Sequence, residues 1–182
     1  MSKEIRVADF IAEFVYSKLG VKHVFMVTGS GIMHLTDGIT CHEKLQTIYP
    51  HHEQTSSMAI DAYARATENM GVGFFTTGPG STHAITGLGG AWQDSVPCLF
   101  ISGQVKFEST NNYAKIEGLR QFGVQEMDLI PIVKPLCKYA TTLIDPYQVR
   151  YEFEKAVHMA KSGRPGPVWI QIPMDVQAAI ID

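Results

Sequence analysis

The period of the apolar positions changes repeatedly along the chain, and each change marks an element boundary. Between residues 6 and 19, Val7, Phe10, Ile11, Phe14, Val15 and Leu19 recur at i, i+3, i+4 and i+7. That spacing predicts an amphipathic helix, ended by Gly20. His23-Val24-Phe25-Met26-Val27 is a short continuous apolar run and predicts a buried strand. The turn Thr28-Gly29-Ser30-Gly31 leads to a helix over 32–39, a second strand over 45–49 and a helix over 53–67. The last of these is expected to turn Met58, Ala59, Ala62 and Ala66 inward. The alternation continues with a strand over 72–77, the turn Gly78-Pro79-Gly80, a helix over 81–93 and a strand over 98–102 closed by Gly103-Gln104.

Residues 105–123 are polar and aperiodic and are expected to form a long surface loop. A short helix over 125–133 broken by Pro131, an edge strand over 137–144, a helix over 147–161 and a last strand over 168–172 complete the pattern. The strand runs are continuous rather than alternating, so both faces of the sheet are covered. The expected fold class is α/β, a three-layer α/β/α sandwich around a parallel sheet of about six strands.

Length and composition narrow the partners. The 182 residues suffice for one well-cored domain, and 1–182 is read as a single unit. Net charge is −3 with no basic cluster longer than two residues, which argues against nucleic acid and anionic membranes. No run approaches the ~18 apolar residues of a membrane span. The start, from Met1 to Arg6, shows no signal-peptide core, so a cytoplasmic location is expected. Cys41, Cys98 and Cys137 are odd in number and widely spaced, which favours reduced packing cysteines over disulfides.

The candidate chemistry centres on Glu53, at the junction between the strand ending near Tyr49 and the helix that follows. That junction lies at the carboxyl edge of a parallel sheet, where open α/β folds bind ligands. A first-turn glutamate can simply complement the helix dipole, worth a few tenths to about 1 kcal/mol. Set among small and apolar neighbours it has a second use, because desolvation favours the neutral carboxyl and lets it share a proton with a ligand nitrogen. Neither His51 nor His52 has a Cys or His partner at ligand spacing, so no metal ligand is assigned. The glycine turns after the strands let backbone approach a ligand closely, yet none matches a dinucleotide fingerprint or a P-loop.

Glu53 and the glycine turns belong to a longer ordered series. It runs through His52-Glu53-Gln54 with Ala62-Tyr63-Ala64-Arg65-Ala66, Thr77-Gly78-Pro79-Gly80, Asp94-Ser95-Val96-Pro97 and Gly103-Gln104-Val105. It ends in Gln125-Glu126-Met127-Asp128, Lys134-Pro135 with Lys138, Arg164-Pro165-Gly166-Pro167 and Ile172-Pro173-Met174-Asp175. The series closely resembles the N-terminal pyrimidine-binding (PYR) domain of thiamine-diphosphate-dependent enzymes, in particular the acetohydroxyacid (acetolactate) synthase-like branch.

The resemblance implies that the carboxyl matching Glu53 hydrogen-bonds N1′ of the cofactor's aminopyrimidine and thereby activates the thiazolium carbon that attacks a 2-keto acid. It places Thr28 and Gly29 in the first loop against the pyrimidine and Thr77, Gly78 and Gly80 in the second. His52 becomes a site-wall residue, and Gln104, Gln125 and Lys138 fall near the substrate. The implied reaction is decarboxylation with transfer of the acyl unit to a second carbonyl compound. A simple decarboxylase, a carbon–carbon lyase or hydrolase, or a non-catalytic module of the same fold are the alternatives.

The chain departs from the branch at Thr28 and Ser30, at His83 where asparagine is usual, at Val124, and in the long polar stretch after Val105. These departures leave the substrate open. Family members bind the diphosphate through magnesium on a separate domain bearing a Gly-Asp-Gly run, which is absent here. The chain is therefore expected to hold half a site, completed by a further domain, a separate subunit or a homo-oligomeric partner (dimer or tetramer). The resemblance also allows an FAD.

Overall fold

The computed structural model describes residues 4–182, so Met1, Ser2 and Lys3 of the amino-terminal stretch considered above lie outside the described residues. Its centre is a six-stranded, all-parallel sheet. The strands are β2 (His23–Met26), β3 (Gln46–Ile48), β4 (Gly71–Phe75), β5 (Cys98–Gln104), β6 (Tyr139–Thr142) and β7 (Val168–Pro173), in the order β3-β2-β4-β5-β7-β6. Strands β4, β5 and β7 are buried along their whole length, which is why their sequences read as unbroken apolar runs. A two-stranded antiparallel pair, β1 (Ile5–Arg6) with β8 (Ile180–Ile181), ties the chain ends together. Two residues are too few to produce a periodic signal, and the sequence pattern did not indicate either strand.

The helices cover both faces. Against one lie α1 (Val7–Ser17), α2 (Met33–Thr40) and α8 (Val149–Lys161), sharing a cluster with Met26, Phe74, Ile101 and Ile170. Against the other lie α3 (Glu53–Thr67), α5 (Ile85–Gln93) and α7 (Ile130–Val133). There Phe75, Phe100 and Trp169 stack from adjacent strands, with Phe100 and Trp169 centroids 5.2 Å apart. Trp169 Nε1 donates to Ser102 Oγ at 2.8 Å, so its one polar group is satisfied inside the core.

Several boundaries depart from the sequence expectation for local reasons. The helix expected over 81–93 is two pieces, α4 (Pro79–His83) and α5, separated at Ala84, whose N–H turns back to Ser81 O at 3.1 Å. Pro131 does not break a helix: it sits in the first turn of α7, where its missing N–H has no consequence. Residues 105–123 contain a 3₁₀ turn, Phe107–Ser109, and a short helix α6 (Asn111–Ala114) capped by Thr110, whose hydroxyl accepts from Tyr113 N at 3.2 Å. Helix α9 (Met174–Ala178) follows β7 directly.

The inward face of α3 is Ser56, Ser57, Ile60 and Ala64, whereas Met58, Ala62 and Ala66 are exposed. Hydrophobicity alone points to the wrong stripe because the buried serines serve close packing. Ser57 Oγ donates to Gln54 O at 2.8 Å and accepts from Gly87 N at 3.2 Å, which draws α5 tightly onto α3.

Among the described residues no helix is long and apolar enough to cross a membrane. Cys41 is exposed, whereas Cys98 and Cys137 are buried and all three are free. Burial pushes the Cys98 thiol far above its ordinary range and the Cys137 thiol up to about 12. An aromatic disulfide reagent at about pH 8 is therefore expected to titrate the Cys41 thiol rapidly in the folded protein and the other two only after denaturation. Equal reaction of all three under native conditions would contradict this burial.

Candidate active site

All six strands of the main sheet run the same way, so the turns after β2, β4 and β5 and the start of α3 emerge at one edge. Helix α3 begins at Glu53 because His52, extended at φ −153° and ψ 145°, caps it by accepting the Gln54 N–H on Nδ1 at 3.1 Å. Glu53 is thereby fixed at the first helical position, and its side chain is only 14% exposed. Its Oε2 lies 3.1 Å from Nδ1 of His83, the last residue of α4. The His83 ring in turn stacks on His52, with centroids 4.6 Å apart and planes 31° from parallel.

The glycine turns interlock beside this carboxylate. Gly31 N donates to Thr76 Oγ1 at 3.1 Å, and a Cβ on Gly31 would collide with the Thr77 side chain and come within 2.9 Å of its backbone N. A Cβ on Gly103 would strike the Gly31 carbonyl. That carbonyl also accepts from Gln177 Nε2 at 2.7 Å, a buried side chain that donates as well to Ile172 O at 2.8 Å. Gly29 lies against the Thr76 side chain, and Gly80 would place a Cβ 2.6 Å from Thr76 Cγ2 and 3.3 Å from Glu53 Oε1. Gly78 takes φ +57° and packs on the Gln125 carbonyl, where a side chain has neither the conformation nor the room. Thr77 is 4% exposed, and its Oγ1 has no hydrogen-bond partner among the described residues.

A cavity of about 390 Å³ opens next to these turns, walled by Gly31, Thr77, Val105, Lys106, Phe122 and Val124 among others. The loop forming its outer wall is held by Glu126, a buried carboxylate that accepts from Asn111 N and Phe122 N, each at 3.3 Å. Two hydrogen bonds place it against the sheet edge: Phe107 N donates to Asp175 Oδ1 at 3.1 Å, and Gln104 Nε2 donates to Met127 O at 2.9 Å.

The residues singled out from sequence divide accordingly. Glu53, His52, Thr28, Gly29, Thr77, Gly78 and Gly80 all lie at the carboxyl edge, Thr28 exposed at the end of β2. Gln104 is also at that edge, but its amide is taken up by Met127 O and, at 3.0 Å, by the Val105 N–H, so it fastens the loop instead of facing a ligand. Gln125 is exposed at φ +58° and meets the site through its backbone on Gly78. Lys138 is the clear exception. It precedes β6 at the amino edge of the sheet, its N–H bonded to Pro167 O at 2.9 Å and its Nζ donating to Ser162 O. A lysine before a parallel strand cannot reach the opposite edge, so the substrate-proximal placement does not hold for Lys138.

Sequence reasoning missed the partnership of His83 and Glu53, 30 residues apart, and the locking roles of Thr76, Glu126 and Gln177. The oddity of His83 against the resembling family was a usable signal, although nothing in its spacing pointed to Glu53.

Comparison with known proteins agrees with the geometry. The profile of the family described as thiamine pyrophosphate enzyme, N-terminal TPP binding domain, matches residues 5–132. The chain is 36% identical over 168 residues to the acetolactate synthase large subunit of Buchnera aphidicola subsp. Schizaphis graminum (strain Sg), covering 91% of this chain and 28% of that protein. It is 39% identical over 166 residues to the acetolactate synthase of Arthrospira platensis, covering 90% and 27%. It is 38% identical over 162 residues to the acetolactate synthase large subunit of Porphyra purpurea, covering 86% and 26%. The chain thus spans less than a third of the length of these relatives.

The interlocked turns make a direct prediction. Gly31→Ala is expected to destabilise the fold by ~1–3 kcal/mol, because Thr77 and the backbone behind it must move, and urea unfolding reads the loss. An unchanged midpoint would mean the turns are not in contact.

Proposed function

The chain belongs to the thiamine pyrophosphate enzyme family, and on that basis we propose that it is the aminopyrimidine-binding half of an acetolactate synthase-like enzyme. The proposed reaction decarboxylates a 2-keto acid and transfers the acyl unit to a second carbonyl compound. One observation carries the reading: the two oxygens of Glu53 have different surroundings. Oε2 is bonded to His83, whereas Oε1 has no hydrogen-bond partner among the described residues and lies beside Gly80.

The residues present fit a flat heteroaromatic amine at this edge. The Thr76 and Thr77 side chains fill the space that a Cβ on Gly29, Gly31 or Gly80 would need, so the turns close up beside Glu53, and its one unpaired oxygen stands where a ring nitrogen could meet it. The buried, unpartnered Thr77 hydroxyl adds a polar handle on the same wall. When bound, thiamine diphosphate supplies the carbon nucleophile and the electron sink for losing the carboxylate.

Oε1 of Glu53 is the atom at which a proton is shared with the ring nitrogen. Val105, Phe122 and Val124 line the neighbouring cavity beside Gly31 and Thr77. The diphosphate and its magnesium ion are assigned to a second domain, in the same chain or in the partner of a homo-oligomer, and the substrate is assigned to the small 2-keto acids.

Full-length protein supplied with thiamine diphosphate, magnesium and pyruvate tests the reading. Glu53→Gln keeps the shape but cannot exchange the proton, and is expected to lower kcat by about 10²–10⁴-fold. A Glu53→Gln enzyme turning over at the wild-type rate would refute it.

A further inference from the structure

His83 ends an element that is itself pinned in place. Helix α4, which it ends, is pinned to the end of β4 by Ser81 Oγ donating to Thr76 O at 2.6 Å. The break at Ala84 turns the chain before α5, and the bond from Gly87 N to Ser57 Oγ clamps α5 onto α3, the helix that carries Glu53. His83 thus comes to Glu53 from a second element whose position is fixed independently.

His52, the other imidazole nearby, cannot do the same work. Its Nδ1 lone pair is engaged by the Gln54 N–H at 3.1 Å, and its ring packs against that of His83, tilted by 31°. His52, Glu53 and His83 do bring three potential metal-ligand atoms within 4.8 Å of one another. His52 Nδ1, however, already accepts from Gln54 N and His83 Nδ1 is bonded to Glu53, so the arrangement is a hydrogen-bonded one.

The hydrogen bond has a definite consequence at a helix start. The first turn of α3 carries N–H groups without intrahelical partners, and an untethered carboxylate in that turn is drawn back onto them. With Oε2 tied to His83, rotation of the carboxyl group is arrested and Oε1 stays beside Gly80, facing the edge. We propose that His83 is the positioning residue for Glu53, its Nδ1–H donating to Oε2 so that Oε1 alone is presented to the ring nitrogen of a bound aminopyrimidine. This rests on the reading of Glu53 given above. The proton remains on His83, which is 49% exposed in its side chain and touches no reacting atom.

Long-range 1H–15N spectra of the imidazole rings in cofactor-free full-length protein read the tautomer directly, at a pH where the ring is neutral. The expected result is Nδ1–H for His83, against the preference of free imidazole side chains for Nε2–H, with reversion to Nε2–H in Glu53→Ala. Nε2–H in the wild type overturns the proposal.

In the loaded enzyme, His83→Ala is expected to lower kcat about ten- to a hundredfold, as a misplaced reacting group does, while the Kd for thiamine diphosphate changes by less than about threefold. His83→Asn, which retains a side-chain N–H donor, is expected to recover most of the rate. Wild-type kcat in His83→Ala also overturns the proposal. Glu53→Gln measured in parallel separates the two readings: if it too turns over normally the role of Glu53 fails, and if it is inactive beside a fully active His83→Ala only the positioning role fails.

Discussion

The structure depends on glycine backbone packing against threonine side chains and carbonyls at the carboxyl edge of the sheet, at distances a Cβ would forbid. The turn after β2 presses on the end of β4, and the end of β5 presses on the turn after β2, with glycine at each contact. Such contacts are rigid because only β-branched threonine side chains, stiff at χ1, and backbone carbonyls fill them. They matter to function because they fix Gly80 and the end of β4 beside Glu53. A site meant to hold a carboxyl to within a fraction of an ångström needs this kind of support from behind.

The two edges of the sheet divide the labour. At the amino edge, Arg164 Nε donates to Ser95 Oγ at 2.6 Å, and Arg65 pairs with Asp61 at 3.0 Å and Asp94 at 2.7 Å. Lys138 bonds the Ser162 carbonyl there as well. Arg65, Asp94, Ser95, Lys138 and Arg164 belong to the ordered series that resembles the family, yet they tie loops at the end remote from Glu53. The series therefore mixes residues that build the sheet with residues that build the site, and only the direction of the strands separates them.

Much of the architecture was legible in the chain. The helix starting at Glu53 was located to the residue, since a polar cap followed by a periodic run is a local signal. The parallel sheet followed from continuous apolar runs, and the family from the ordered motifs. Strand order was not legible, because period says which residues are buried and nothing of which strand lies beside which. The inward face of α3 was misjudged, since Ser56 and Ser57 are buried for their small size and hydrogen bonds rather than for hydrophobicity. The His83–Glu53 pair was invisible because it is created by the packing of α4 and α5 on α3.

In functional terms, the chain offers an acid with one oxygen tied within the fold and the other untied, at the rim of a glycine-lined edge. A crystal structure of the full-length protein with thiamine diphosphate bound tests this most directly. The account predicts the pyrimidine N1′ at hydrogen-bond distance, about 2.6–3.2 Å, from Glu53 Oε1, with Oε2 still on His83. A pyrimidine bound elsewhere, or a Glu53 carboxyl turned away from it into solvent, would contradict the account.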